Sequence, residues 1–87
     1  MQIEITNEID LKLATTRDRF YTTSKDVQYD TNKNILILRK SDGSLIEFGS
    51  VHIQKILDKE IFLKGILPSP SGTGHAPQVH FIRITFL

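Results

Sequence analysis

Residues 26–48 read DVQYDTNKNILILRKSDGSLIEF, and the punctuation of this stretch decides the fold class. Asp26-Val27-Gln28-Tyr29-Asp30 runs into Thr31-Asn32-Lys33-Asn34, a block of turn-forming residues. Ile35-Leu36-Ile37-Leu38-Arg39-Lys40 is rich in β-branched and apolar side chains, and Ser41-Asp42-Gly43-Ser44 returns the chain into Leu45-Ile46-Glu47-Phe48. Asp-Gly between two such runs is a strong hairpin signal, expected as a type I′ turn with positive φ at both central residues. Three antiparallel strands over residues 26–48 follow.

On the C-terminal side, Gly49-Ser50 punctuates and Ile53, Ile56 and Leu57 recur at helical offsets behind a Ser50 N-cap, so a short amphipathic helix is expected over 51–60. A strand is the alternative, because Val51 and Ile53 also alternate. Residues 61–67 and 78–87 read as two strands joined by the Pro/Gly/Ser-rich stretch Pro68 to Pro77. On the N-terminal side the pattern stays open. Ile3 and Ile5 alternate as in a strand that Ile9, Leu11 and Leu13 extend, whereas Ile9, Leu13 and Phe20 fit one face of a helix capped by Asn7. The chain holds no internal repeat and no low-complexity tract.

Several strands are apolar on both faces. Ile82, Ile84 and Phe86 share one face of the last strand and Val79, Phe81 and Leu87 the other, while Ile35 and Ile37 oppose Leu36 and Leu38. A one-sided sheet alternates more cleanly, so both faces need cover: barrel closure, a helix, or a second protomer. The apolar end Phe86-Leu87, read as a free edge, argues for the protomer. The expected fold is therefore α+β and mostly β, an antiparallel sheet of about five strands with one short helix, barrel-like or completed by self-association.

At 87 residues the chain has room for a single small domain, 1–87. Its 39% hydrophobic and 24% charged residues are ordinary globular values, too apolar for disorder and too polar for a membrane protein. The absence of cysteine removes disulfides, thiolate nucleophiles and Cys-based zinc sites, which leaves oligomerisation as the common staple. Met1-Gln2-Ile3-Glu4-Ile5 shows no basic, apolar leader pattern, so a cytoplasmic protein with no membrane association is expected.

Net charge is +1, too near balance to argue for nucleic acid, but its distribution is uneven. Residues 1–10 sum to −3 and residues 11–25 to +3, and after Glu60 no acid occurs, with Lys64 and Arg83 the fixed charges. A cationic surface is expected if the fold joins the 11–25 segment to the C-terminal end.

Three groups of residues invite a functional reading. Ser71, Gly72, Thr73, Gly74 and His75 offer glycine N–H groups, hydroxyls and an imidazole for an anion nest. The loop lacks the Lys-Ser/Thr pair of a phosphate-binding loop and the third glycine of a dinucleotide fingerprint, and its plain alternative is a hairpin loop without a ligand. Residues 15–25 pack hydroxyls, Phe20, Tyr21 and the cations Arg17, Arg19 and Lys25 into one segment, a mixture suited to phosphate and base contacts or to a solvated strand. His52, His75 and His80 fall at no metal-ligand spacing, and His80 beside Ile82 and Ile84 reads as a partly buried, hydrogen-bonded residue.

No nucleophile is paired with an oriented base. Ser71, Thr73 and His75 share a loop with no acid in that third of the chain, and the aspartates fall mostly at turns and caps. The reading is a protein that is not an enzyme, with no cofactor and no metal. Two functions are carried. One is a binding module for a phosphorylated ligand, a nucleotide or nucleic-acid backbone, held by Ser71, Gly72, Thr73, Gly74 and His75 with charge from Arg17, Arg19 and Lys25. The other is a protein-interaction module, an inhibitor or adaptor that docks an edge strand and the same loop onto a protein partner. A homo-oligomer is expected in either case.

Overall fold

The structure, a computed structural model, describes residues 1–8, 12–13, 17–67 and 78–87. Among them lie seven strands, β1 (Gln2–Thr6), β2 (Arg17–Tyr21), β3 (Val27–Asp30), β4 (Ile35–Arg39), β5 (Leu45–Ile56), β6 (Glu60–Leu67) and β7 (Gln78–Thr85), with a single 3-10 turn at Ser24–Asp26. They form one antiparallel sheet in the order β2-β1-β7-β6-β5-β4-β3. The mostly β, antiparallel expectation holds. Seven strands replace five: the N-terminal strand read from Ile3 and Ile5 is β1, its partner β2 takes in Phe20 in place of a helix, and Ile9 and Leu11 lie outside the described residues.

The connectivity forces this sheet to curl. β2 and β3 stand at opposite ends of the strand order, yet only residues 22–26 join them. Such a link spans about 20 Å at full stretch, whereas seven flat strands at their usual spacing would hold those edges about 29 Å apart. The result is a half-barrel. Its two ends are fastened by Lys40 Nζ on Asp18 Oδ2 at 2.5 Å and by the Thr22 hydroxyl, which donates to the Arg39 carbonyl at 3.3 Å.

Inside the curl, Ile3, Ile5, Leu36, Leu38, Phe48, Val51, Leu63, Ile82 and Ile84 are buried together, with Phe20, Val27, Tyr29, Ile46 and Ile61 packed against them. Each fully buried side chain of this size contributes about 1.5–3 kcal/mol. Gly65 belongs to the same inner face, where an added Cβ would meet Phe48 Cβ at 2.9 Å and Val51 Cγ2 at 3.2 Å. His80, its register partner, turns its ring toward Phe48 at 6.1 Å between centroids and sets Nδ1 3.2 Å from the Gln78 carbonyl.

The helix expected over 51–60 is absent. β5 runs from Leu45 to Ile56 with register shifts between Gly49 and His52 and again between Ile53 and Lys55. The first shift puts Phe48 and Val51, three residues apart, on the same buried face, an offset that imitates a helix. Ser50 is no N-cap: it takes a positive φ of 49° inside the bulge, and Val51 N–H donates to the Asn34 carbonyl at 2.9 Å.

The hairpins at residues 31–34 and 41–44 are where they were read, with different turn chemistry. In the 41–44 loop Gly43 has positive φ, 87°, and Asp42 does not, so a type I′ turn is excluded there, while Asn34 takes the left-handed position of the other hairpin at 55°. Gly43 N–H donates to the Lys40 carbonyl and Lys40 N–H to the Ser44 carbonyl, both at 2.9 Å, a three-residue loop with glycine in the left-handed position. The aspartates do the turn work assigned to them. Asp30 Oδ1 accepts from the N–H groups of Asn32 and Lys33, and Asp42 Oδ1 from the N–H and hydroxyl of Ser44.

The last strand is not an edge. β7 lies between β1 and β6, with Phe81–Thr85 paired on both sides, and Phe86 and Leu87 beyond it are exposed. No helix among the described residues is long and apolar enough to cross a membrane.

Candidate functional site

Antiparallel partners point to the same side of a sheet, so the registers of β2, β1, β7, β6 and β5 can be read across as rows on the outer face. One row is Arg19, Glu4, Arg83, Phe62 and Lys55; the next is Arg17, Thr6, Phe81, Lys64 and His52. These ten positions hold five fixed cations, one acid and two phenylalanines. The pattern begins in the sequence. Phe62-Leu63-Lys64 and Phe81-Ile82-Arg83 each place an aromatic and a cation two residues apart around a buried aliphatic. Antiparallel pairing then crosses them, so Phe62 faces Arg83 and Phe81 faces Lys64.

The single acid of the rows is neutralised in place. Glu4 is only 6% exposed. Its Oε2 accepts from Arg19 Nη2 at 2.8 Å and Nε at 3.2 Å, and Arg17 Nε stands 3.6 Å away. Arg83 holds its guanidinium over the Phe62 ring, 5.6 Å from the centroid, and donates through Nη2 to Glu60 Oε1 at 2.5 Å. That hydrogen bond raises the guanidinium's affinity for its proton despite partial desolvation. Arg83 Nε is buried without a partner.

Beside these rows lies a groove of about 460 Å³, lined by Glu4, Thr6, Phe62, Phe81 and Arg83 and, from the bulged end of β5, by Gln54, Lys55 and Leu57. Its size falls in the range of roughly 300–1,000 Å³ typical of small-ligand sites. Apolar rings with a few convergent polar groups are the usual makeup of such a site. Among the described residues, no three His, Asp or Glu side chains converge as metal ligands.

The structure divides the residues singled out in the sequence. Arg17 and Arg19 lie on this face, and the join expected between the 11–25 segment and the C-terminal end occurs, because β1 sits between β2 and β7. Lys25 is not with them. It lies in the 3-10 turn beyond the far end of β2, roughly 26 Å of extended chain from Arg17, on the side that packs against β3 and β4. Ser71, Gly72, Thr73, Gly74 and His75 lie outside the described residues; the flanking Leu67 and Gln78 are register partners.

Lys55, Phe62, Lys64, Phe81 and Arg83 were not singled out as a site. The aromatic-x-cation repeat and the acid-free C-terminal third were the available signals. Models of known families, curated proteins and solved structures offer no match to this chain.

Proposed function

We propose that the protein is a non-catalytic module that binds the phosphate backbone of a nucleic acid on its outer sheet face. The observation that carries the reading is the pair of register rows, in which Arg17, Arg19, Lys55, Lys64 and Arg83 share one surface with two acids, Glu4 and Glu60, each paired with these arginines, so that cations remain in excess. Phosphates are neutralised by such a surface with release of counterions, so affinity falls steeply as salt rises. Aromatic rings among the cations suit a strand whose bases are free.

The test is fluorescence anisotropy of a labelled single-stranded decamer across a salt series, comparing the wild type with Arg17→Ala/Arg19→Ala. We expect binding at low salt, a linear loss on a log–log plot, and a slope shallower by about 0.7 for each phosphate contact removed. Absence of binding at low salt, or binding indifferent to salt, would sink the reading.

A protein partner is the second reading, favoured by one observation. Beyond Phe48, β5 leaves β4 and pairs with β6 alone, so the other side of His52–Ile56 carries no ladder among the described strands, and Ile53 and Ile56 are 50% and 65% exposed. Strand addition there would show little salt dependence.

A further inference from the structure

We propose that the groove between Phe81 and the bulged end of β5 seats one unstacked nucleobase, which makes the outer face selective for single-stranded nucleic acid over duplex. The inference rests on the nucleic-acid reading above and adds what occupies the groove.

The lining favours a base over a phosphate. Glu4 is already balanced by Arg17 and Arg19, and although Lys55 and Arg83 stand in the wall, most of the lining is apolar, with Leu57, Phe62 and Phe81 in it. Arg17 and Arg19 on β2 stand two strands from β7 in one direction and Lys55 on β5 two strands in the other, about 10 Å each way. A backbone crossing the strands thus meets Arg17 and Arg19 before the groove and Lys55 in its far wall, with a base left over the rings between them.

The walls suit a flat heterocycle. Phe81 supplies a ring, Leu57 an apolar wall, and Arg83 a guanidinium within cation–π distance of Phe62. The exposed Gln54 amide offers a donor and an acceptor for a base edge, whereas the buried Thr6 hydroxyl already donates to the Glu8 carbonyl at 2.9 Å. A duplex keeps its base faces stacked, so only an unpaired strand delivers one.

The experiment compares three labelled probes at one salt concentration: a thymidine decamer, a decamer of the same backbone with abasic sites, and a duplex of equal length. The abasic strand should bind about 5- to 100-fold more weakly than the thymidine strand, the range expected for loss of a stacked base, and the duplex should also bind more weakly. Phe81→Leu should lower thymidine-strand affinity toward the abasic value and leave abasic binding unchanged. Should Phe81→Leu fail to fold by circular dichroism, the exposed Gln54→Ala takes its place and should narrow the same gap. Equal binding of thymidine and abasic strands, a preference for duplex, or a gap that survives both variants would overturn the base site while leaving the backbone reading intact. Binding of none of the three probes would overturn both.

Discussion

Lys40, at the end of β4, reaches Asp18 of β2 at 2.5 Å and carries its ammonium 5.6 Å from the Phe20 ring centroid, so one side chain spans the open seam of the half-barrel. The two strands are five places apart in the sheet order. Contact between them therefore depends on the curl, not on any ladder.

Lys40→Met keeps an apolar stem over Phe20 and removes the charge. Both partners are partly exposed, so the stability lost in urea unfolding should stay below about 1 kcal/mol and shrink further in high salt. Amide hydrogen exchange in β2 should accelerate more than in β6. Uniform acceleration across the sheet would show that the pair does not guard the seam.

Gly65→Ala and Gly49→Ala form a matched pair. The first drives a methyl to 2.9 Å from Phe48 Cβ, an atom fixed by its own backbone, whereas the second meets nothing within 4 Å. Overpacking should cost Gly65→Ala about 1–3 kcal/mol, with Gly49→Ala within about 0.5 kcal/mol of wild type. Thermal melts of the two variants measure the contrast, and equal melting temperatures would contradict the close approach of β6 to Phe48.

Glu4→Gln should move stability and binding in opposite directions. Arg17 and Arg19 lose the carboxylate they share, which should cost about 1 kcal/mol. The face gains one net positive charge, so the decamer should bind more tightly at low salt, with the gain fading as salt rises. Weaker binding by a folded Glu4→Gln protein would place Glu4 among the contacts to the ligand.

The Ser44 hydroxyl and N–H hold the Asp42 carboxyl below its ordinary value of 3.8. A carboxyl depressed on folding adds stability that is present above its unfolded pKa and is lost as pH falls through the lower folded value. The 40–44 hairpin should therefore loosen only below about pH 4. In Ser44→Ala the Asp42 titration, followed by NMR, should move up toward the ordinary value, and an unmoved midpoint would remove Ser44 as its cause.

The legible parts of this fold are those written in local chemistry. Asp30, Asn34, Asp42 and Gly43 mark turns through their own backbones, so β3, β4 and the start of β5 could be read from residues 26–48 alone. β5 beyond Phe48 was hidden by its bulges: two register shifts break the period of two, and Ile53, Ile56 and Leu57 then fall at helical offsets. Arg17 and Arg19 were visible as cations, yet their neighbours were not. Glu4 meets Arg19 through the β1–β2 pairing, but Phe81 and Arg83 join their rows only because β1 lies beside β7, a pairing between residues nearly eighty positions apart that no local pattern encodes. Lys25 was grouped with Arg17 by sequence proximity, and a strand of extended residues separates them.

That same pairing sets an order of assembly during synthesis. β3, β4 and β5 are joined by short hairpins and can form while the rest of the chain is still inside the ribosome. β1, though made first, has its central neighbour in β7 and must wait for residues 78–85 to emerge. Until then its apolar Ile3 and Ile5 have only β2 to cover them, a transient exposure that high contact order prolongs. The rows of Arg17, Glu4, Phe81 and Arg83 come together in that last step, so the outer face exists only in chains that have finished folding.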